Sequence, residues 1–204
     1  MLQSIVVAAF LAFSLALFAG RSVYESKKSS RSKTDVMHEK AGSAADEPLL
    51  LVGAFFALVL YAEMILYIIL VLLGLQAVLT SSLLQLTFPF DTLIQALGLA
   101  IMVFGYFLVF WSYYTLEYDR LVSWGPYHRV RHPVYLGYFI VFAGFFLTLL
   151  NLVALLPLLG IPGEVRMATI EEELLTKKYG EEYARYQQET GKFFPKRKKQ
   201  EGEI

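Results

Sequence analysis

Apolar residues gather into long runs along this chain, and polar segments divide them sharply. Residues 2–20 are almost wholly apolar, with Gln3 and Ser14 among the few interruptions. Residues 49–79 form a second run broken only by Glu63 and Gln76, and residues 92–112 and 133–150 form a third and fourth. A helix needs about 20 such residues to cross the hydrocarbon core of a bilayer, so each run predicts a spanning helix. Leu152–Ile161 is too short to cross alone as a straight helix. It is expected to continue through Pro162 and Gly163 into the polar tail. Residues 133–170 therefore predict a helical hairpin whose second arm is broken near the Pro-Gly pair.

Two points in this pattern admit more than one reading. An apolar N-terminus can be a cleaved signal, but here the basic residues follow the run instead of preceding it, which favours a retained helix. The run 49–79 is either one long tilted span or a span with an interfacial extension. Glu63 inside it is costly in hydrocarbon, so it marks either a function or a buried hydrogen bond to a neighbouring helix.

Charge then orients the runs. All 18 Lys and Arg residues fall in three segments, 21–48, 113–132 and 164–204, and the loop 80–91 has none. Five crossings put those three segments on one side. The positive-inside rule makes that side the cytoplasm and places the N-terminus outside. The expected fold is an all-α integral membrane protein with five transmembrane helices, a C-terminal hairpin, a cytoplasmic pocket and a C-terminal helical tail. Its expected division is 1–92 for the first helices and polar linker, and 93–204 for the functional core.

Composition narrows the chemistry. The chain is 56% hydrophobic with zero formal net charge, which suits a membrane protein and gives no reason to expect nucleic acid as a partner. Without cysteine, and with only His38, His128 and His132, it offers no thiolate nucleophile and no histidine-rich metal site. The polar chemistry lies in GPYHRVRHPVYLGY, residues 125–138, and in the tail that shares its membrane face. Pro133 suits the first turn of a helix, and the N–H groups exposed there favour an anionic ligand group. On a plainer reading Tyr127, Arg129 and Arg131 only anchor that helix end among headgroups. The tail tilts the balance. Leu175, Tyr179, Tyr183 and Tyr186 share one helical face, and Glu171, Glu172 and Glu173 would be repelled by an anionic lipid surface. Such carboxylates suit hydroxyl donors or a cationic ligand. The basic end Lys196–Lys199 is read as a headgroup contact.

LVSWGPYHRVRHPVYLGY, then a hydrophobic hairpin, then EEELLTKKYGEEYARYQQETGKFFP together resemble the isoprenylcysteine carboxyl methyltransferase family, grouped with the phospholipid methyltransferases. The likeness covers about residues 105–195 and rests on RHPxY followed by EExLLxxxYGxEYxxY. It implies a small membrane enzyme that uses S-adenosyl-L-methionine to methylate a carboxylate on a lipophilic or lipidated acceptor reached from the bilayer. It further implies that Leu121 and Val122 contact the cofactor through their backbone. Tyr127, His132, Pro133, Val134 and Tyr135 would line its pocket, and Glu171 would hold it. Two positions depart from the pattern. Asp119 stands where the family often has histidine, and Met167 stands where a substrate arginine is expected, with Arg166 one residue earlier. One residue turns a helix by about 100°, so Arg166 needs a local distortion to take that catalytic role.

A carboxylate acceptor is ionised at neutral pH and needs no base, which leaves alignment and exclusion of water as the enzyme's task. An amine acceptor, as in phospholipid N-methylation, needs a base, for which Glu172 is the available side chain. A steroid-reductase-like enzyme using NADPH has a similar layout but should show more cations around its pocket. A non-catalytic membrane scaffold is the remaining alternative.

Overall fold

The computed structural model describes residues 4–29, 48–75, 77–78, 84–117 and 120–196, with the backbone alone for 21–29. Among these residues every extended element is helical: α1 (Ser4–Ser29), α2 (Pro48–Leu72), α3 (Asp91–Thr115), α4 (Pro133–Leu149), α5 (Ile161–Tyr179) and α6 (Glu181–Glu189). Short 3-10 helices cover Gly125–His128 and Leu152–Gly160. Proline falls where helices begin. Pro48 opens α2, Pro133 opens α4, and Pro162 sits in the first turn of α5, where no N–H would be paired within the helix.

Three helical stretches are long and apolar enough to cross a membrane: Pro48–Leu72, Asp91–Thr115 and the continuous arm Leu152–Tyr179. Ser4–Gly20 and Pro133–Leu149 are apolar but shorter. The run expected to reach residue 79 ends earlier as a helix, at Leu72. Gly74 adopts φ 70°, its N–H bonds to the Val71 carbonyl, and Leu75 N–H reaches back to the Leu70 carbonyl. These two bonds are a Schellman cap, which closes a helix and requires glycine-like backbone at that position.

The closest helix pair is α3 with α4. The buried face of α3 carries Gly98, Met102, Gly105, Val109 and Ser112, and that of α4 carries Gly137, Val141, Gly144 and Thr148. Two glycines seven residues apart on each helix let the backbones meet. A Cβ built on Gly105 would lie 2.9 Å from the Gly137 carbonyl oxygen, and one on Gly144 would lie 2.8 Å from that of Gly98. Small residues at such a contact replace the hydrophobic drive that lipid-facing helices lack. Ser112 and Thr148, buried in the same interface, return their hydroxyls to the carbonyls of Leu108 and Gly144 at 2.6 and 2.7 Å.

The turn after α4 supplies the expected hairpin. Leu150 is left-handed at φ 49°, and the Asn151 side chain accepts the Val153 N–H at 2.9 Å. Leu86 N–H bonds to the Leu150 carbonyl and Leu152 N–H to that of Leu84, so the loop before α3 fastens this end. The second arm runs as 3-10 helix to Gly160 and as regular α-helix from Ile161. It leans on α2 through glycine again: a Cβ on Gly163 would sit 2.5 Å from the Gly53 Cα. At the centre Leu11, Met64, Met102 and Phe145 are fully buried. Phe18 of α1 touches the rings of Tyr61, Tyr106, Phe110 and Tyr138. Glu63 does not make the expected interhelical hydrogen bond, since both its carboxylate oxygens are buried without a donor among the described residues.

Two outcomes follow for protein in detergent. Gly137→Leu should lower the thermal midpoint or prevent recovery of folded protein, because its Cβ alone would meet Val109 Cγ2 at 2.5 Å; overpacking of this kind costs about 1–3 kcal/mol. Glu63→Leu should raise the midpoint, as it removes a buried unpaired acceptor worth roughly 1–3 kcal/mol. Size-exclusion recovery after heating measures both.

Candidate active site

The loop entering α4 is shaped by glycine and proline. Gly125 takes φ 61°, Pro126 starts the 3-10 turn, and the turn buries Tyr127. Tyr186 of α6 donates its hydroxyl to the Tyr127 carbonyl at 2.6 Å. Residues 190–193 then cross the start of α4 as a strap. Arg131 N–H bonds to the Gly191 carbonyl at 2.8 Å and His132 N–H to that of Lys192 at 3.1 Å. The strap cannot carry a side chain at Gly191, where a Cβ would fall 1.6 Å from the Phe194 carbonyl oxygen. Phe193 of the strap packs on the rings of His132 and Phe139.

Beneath the strap lies an ion-pair knot centred on Glu172. Its Oε1 accepts Arg131 Nε–H at 2.8 Å and stands 3.2 Å from His132 Nε2, while Oε2 is 3.4 Å from Lys192 Nζ. Arg131 also donates to the carbonyls of Gln187 and Thr190 at the end of α6. Lys192 donates to Thr169 Oγ1 at 2.8 Å. The side chains of Arg131 and Glu172 are 11% and 14% exposed, so these bonds are only weakly screened. Arg131 is therefore not a headgroup anchor, as the plainer sequence reading had it. It joins the loop, α5 and α6. Arg129 is exposed. Lys196 also differs from the expected headgroup contact, because its Nζ donates to the carbonyls of Gln187 and Gln188. Residues 197–199 lie outside the described residues, as does Asp119.

Next to the knot opens a cavity of about 470 Å³. Leu121, Val122, Tyr127, His132, Pro133, Val134, Tyr135 and Glu171 all line it, although the sequence spreads them over 51 positions. Tyr135 donates its hydroxyl to Glu171 Oε2 at 3.1 Å. Leu175, Tyr179, Tyr183 and Tyr186, read as one helical face, line it too. With Tyr113 and Tyr138 the wall holds seven tyrosines, and Glu117 and Glu164 join Glu171 as its carboxylates. Burial pushes the hydroxyl groups of Tyr183 and Tyr186 above the usual tyrosine range, so both stay neutral. Two of the wall's cations are matched in place: Arg120 is bidentate to Glu117 at 2.6 Å, and Arg131 is held by Glu172.

Arg166 is the one candidate not brought to the cavity. No bulge interrupts α5, so the 100° between successive residues is preserved and Met167 takes the lining position. Arg166 Nη1 instead lies 3.6 Å from Glu173 Oε1 on an outer face. The knot is what sequence reasoning missed. Three successive glutamates were visible, and their division into one for the cavity, one for the knot and one for the outside was not.

Residues 93–182 match the family model described as phospholipid methyltransferase. Over those residues the chain is similar to phospholipid methyltransferases. No curated protein and no solved structure matches the chain. The three helices able to cross a membrane, together with this likeness, fit an integral membrane protein. The matched segment contains nearly all of α3, with α4, the hairpin turn and α5, including Glu171 and Glu172. Tyr183, Tyr186 and the strap follow it.

The strap should be as important to the cavity as the matched segment. Arg131→Met would leave Glu172 without its closest partner, a loss on the order of 3–5 kcal/mol for a buried pair. Limited trypsin digestion should then cut at Arg185 or Lys192 at least roughly tenfold faster than in the wild type. Unchanged cleavage would mean that the tail docks independently of the knot.

Proposed function

We propose that the protein transfers a methyl group from S-adenosyl-L-methionine to a lipophilic acceptor reached from the bilayer, and that the acceptor group is an amine. The observation that carries this is the composition of the cavity wall, seven tyrosines with Glu117, Glu164 and Glu171. Aromatic faces and carboxylates attract cations, and a cavity of a few hundred Å³ suits a ligand of cofactor size. The cofactor is a sulfonium cation, so its charge matches this wall. Leu121 and Val122 would meet it through their backbone; Tyr127, His132, Pro133, Val134, Tyr135 and Glu171 would surround it. When bound, it supplies an electrophilic methyl group whose departure leaves a neutral sulfide.

The chain's own part is to align the acceptor and keep water out, which the buried tyrosines Tyr127, Tyr135, Tyr183 and Tyr186 favour. The carboxylate acceptor implied by the isoprenylcysteine resemblance finds less support. It would enter beside three glutamates, and Arg166, its intended partner, lies off the cavity. A nicotinamide dinucleotide with an extra phosphate is disfavoured by the same wall, since Arg120 and Arg131 are already paired with glutamates. The distribution of Lys and Arg supports five crossings with the site on the cytoplasmic side.

Calorimetry on detergent-purified protein tests the cofactor: S-adenosylhomocysteine should bind and NADPH should not. Glu171→Ala should weaken that affinity at least about tenfold, and wild-type affinity in this variant would remove Glu171 from the site. Arg166→Ala should keep both affinity and most turnover. Abolished turnover with intact affinity would return Arg166 to the acceptor. Labelled methyl transfer to lipid amines and to prenylated carboxylates, run side by side, separates the two acceptor classes.

A further inference from the structure

An amine acceptor presents a chemical difficulty that a carboxylate does not. At neutral pH a primary amine with a pKa on the order of 10 is protonated, and its nitrogen has no electron pair to give. A base in the cavity has to remove one proton. Glu172, the side chain available from sequence, is enclosed by Arg131, His132 and Lys192 and is absent from the cavity wall.

The geometry around His132 offers another base. His132 lines the cavity and is 3% exposed overall. Nε2 stands 3.2 Å from Glu172 Oε1. With Arg131 donating to the same oxygen and Lys192 beside the other, Glu172 is a carboxylate that can only accept. Nε2 must then carry the hydrogen, and in a neutral imidazole this leaves Nδ1 with the lone pair. Nδ1 is on the side of the ring that faces Glu171, 4.0 Å from Oε2, and Glu171 lines the cavity. The ring is further fixed by Tyr135 edge-on at 5.6 Å and by Phe193 at 5.9 Å.

We infer that Nδ1 of His132 takes the proton from the acceptor's ammonium, and that Glu172 is the positioning residue that sets the tautomer. This rests on the amine reading above. In the step the N–H bond of the ammonium breaks and an Nδ1–H bond forms. The freed electron pair makes the acceptor nitrogen the nucleophile, and the methylated ammonium product regains one positive charge. The imidazolium lies between Glu171 and Glu172 and returns its proton to solvent after turnover. The titratable and charged groups around the ring are Glu171 and Glu172 from α5, Lys192 from the strap, which pairs with Glu172, and Arg131 and Tyr135 beside it.

Nitrogen-15 NMR of histidine-labelled wild-type protein in detergent reads the tautomer without any turnover. The His132 signals are identified by their loss in His132→Gln. A protonated Nε2 with a bare Nδ1 is expected, and Glu172→Gln should abolish that preference. Turnover is measured with phosphatidylethanolamine micelles as acceptor. At pH 7 His132→Gln should lower it about 100-fold or more. The deficit should shrink as pH rises toward about 10, where the amine deprotonates by itself. A protonated Nδ1 in the wild type, or a deficit equal at every pH, overturns the base assignment. No methyl transfer to phosphatidylethanolamine by the wild type, with transfer to a prenylated carboxylate instead, overturns the amine reading.

Discussion

The buried carboxylate of Glu172 is the point on which the loop before α4, α5 and the tail close together. Three cationic or potentially cationic side chains converge on its two oxygens, from the loop before α4, from the first residue of the α4 junction and from the strap. Arg131 and His132 are neighbours in the chain, but Glu172 and Lys192 are distant from them and from each other. A charge held at 14% exposure is costly unless its partners are in place, so the knot is favourable only when all the pieces are assembled correctly. It thereby converts a desolvation penalty into a requirement for one arrangement of loop, helix and tail.

A second constraint acts inside the apolar part. The glycine pairs of α3 and α4 bring two backbones within the distance that any side chain would prevent, and Gly53 with Gly163 repeats this between α2 and α5. The result is a scaffold with little freedom to slide. Lined cavities need this, because a wall assembled from the loop, α3, α4, α5 and α6 keeps its shape only if the helices beneath hold their register.

Much of this was legible in the order of the residues. Apolar runs located the helices, Pro133 marked a helix start, Pro162 and Gly163 marked the broken arm of the hairpin, and the resemblance in LVSWGPYHRVRHPVY and the tail glutamate named eight residues that meet in one cavity. What was hidden has physical reasons. A Schellman cap at Gly74 depends on the two bonds that its backbone makes, so an unbroken apolar run gave no sign that α2 stops at Leu72. The strap pairs through main-chain groups about 60 residues apart, and main-chain bonds have no residue signature. Glu171, Glu172 and Glu173 differ only by successive rotations of the helix, and only the packing of α5 decides which faces the cavity. The spacing of Arg166 was a correct warning, because an undistorted α5 leaves Met167 in the wall.

The strap, Thr190–Phe193, lies beyond every apolar helix described here. During synthesis the helices of the scaffold are therefore made, and can be inserted and packed, before the strap that pairs with the start of α4 leaves the ribosome. Assembly of the site is timed by the chain itself. The knot around Glu172 is incomplete while the helices are still finding their partners in lipid, because Lys192 arrives only with the strap.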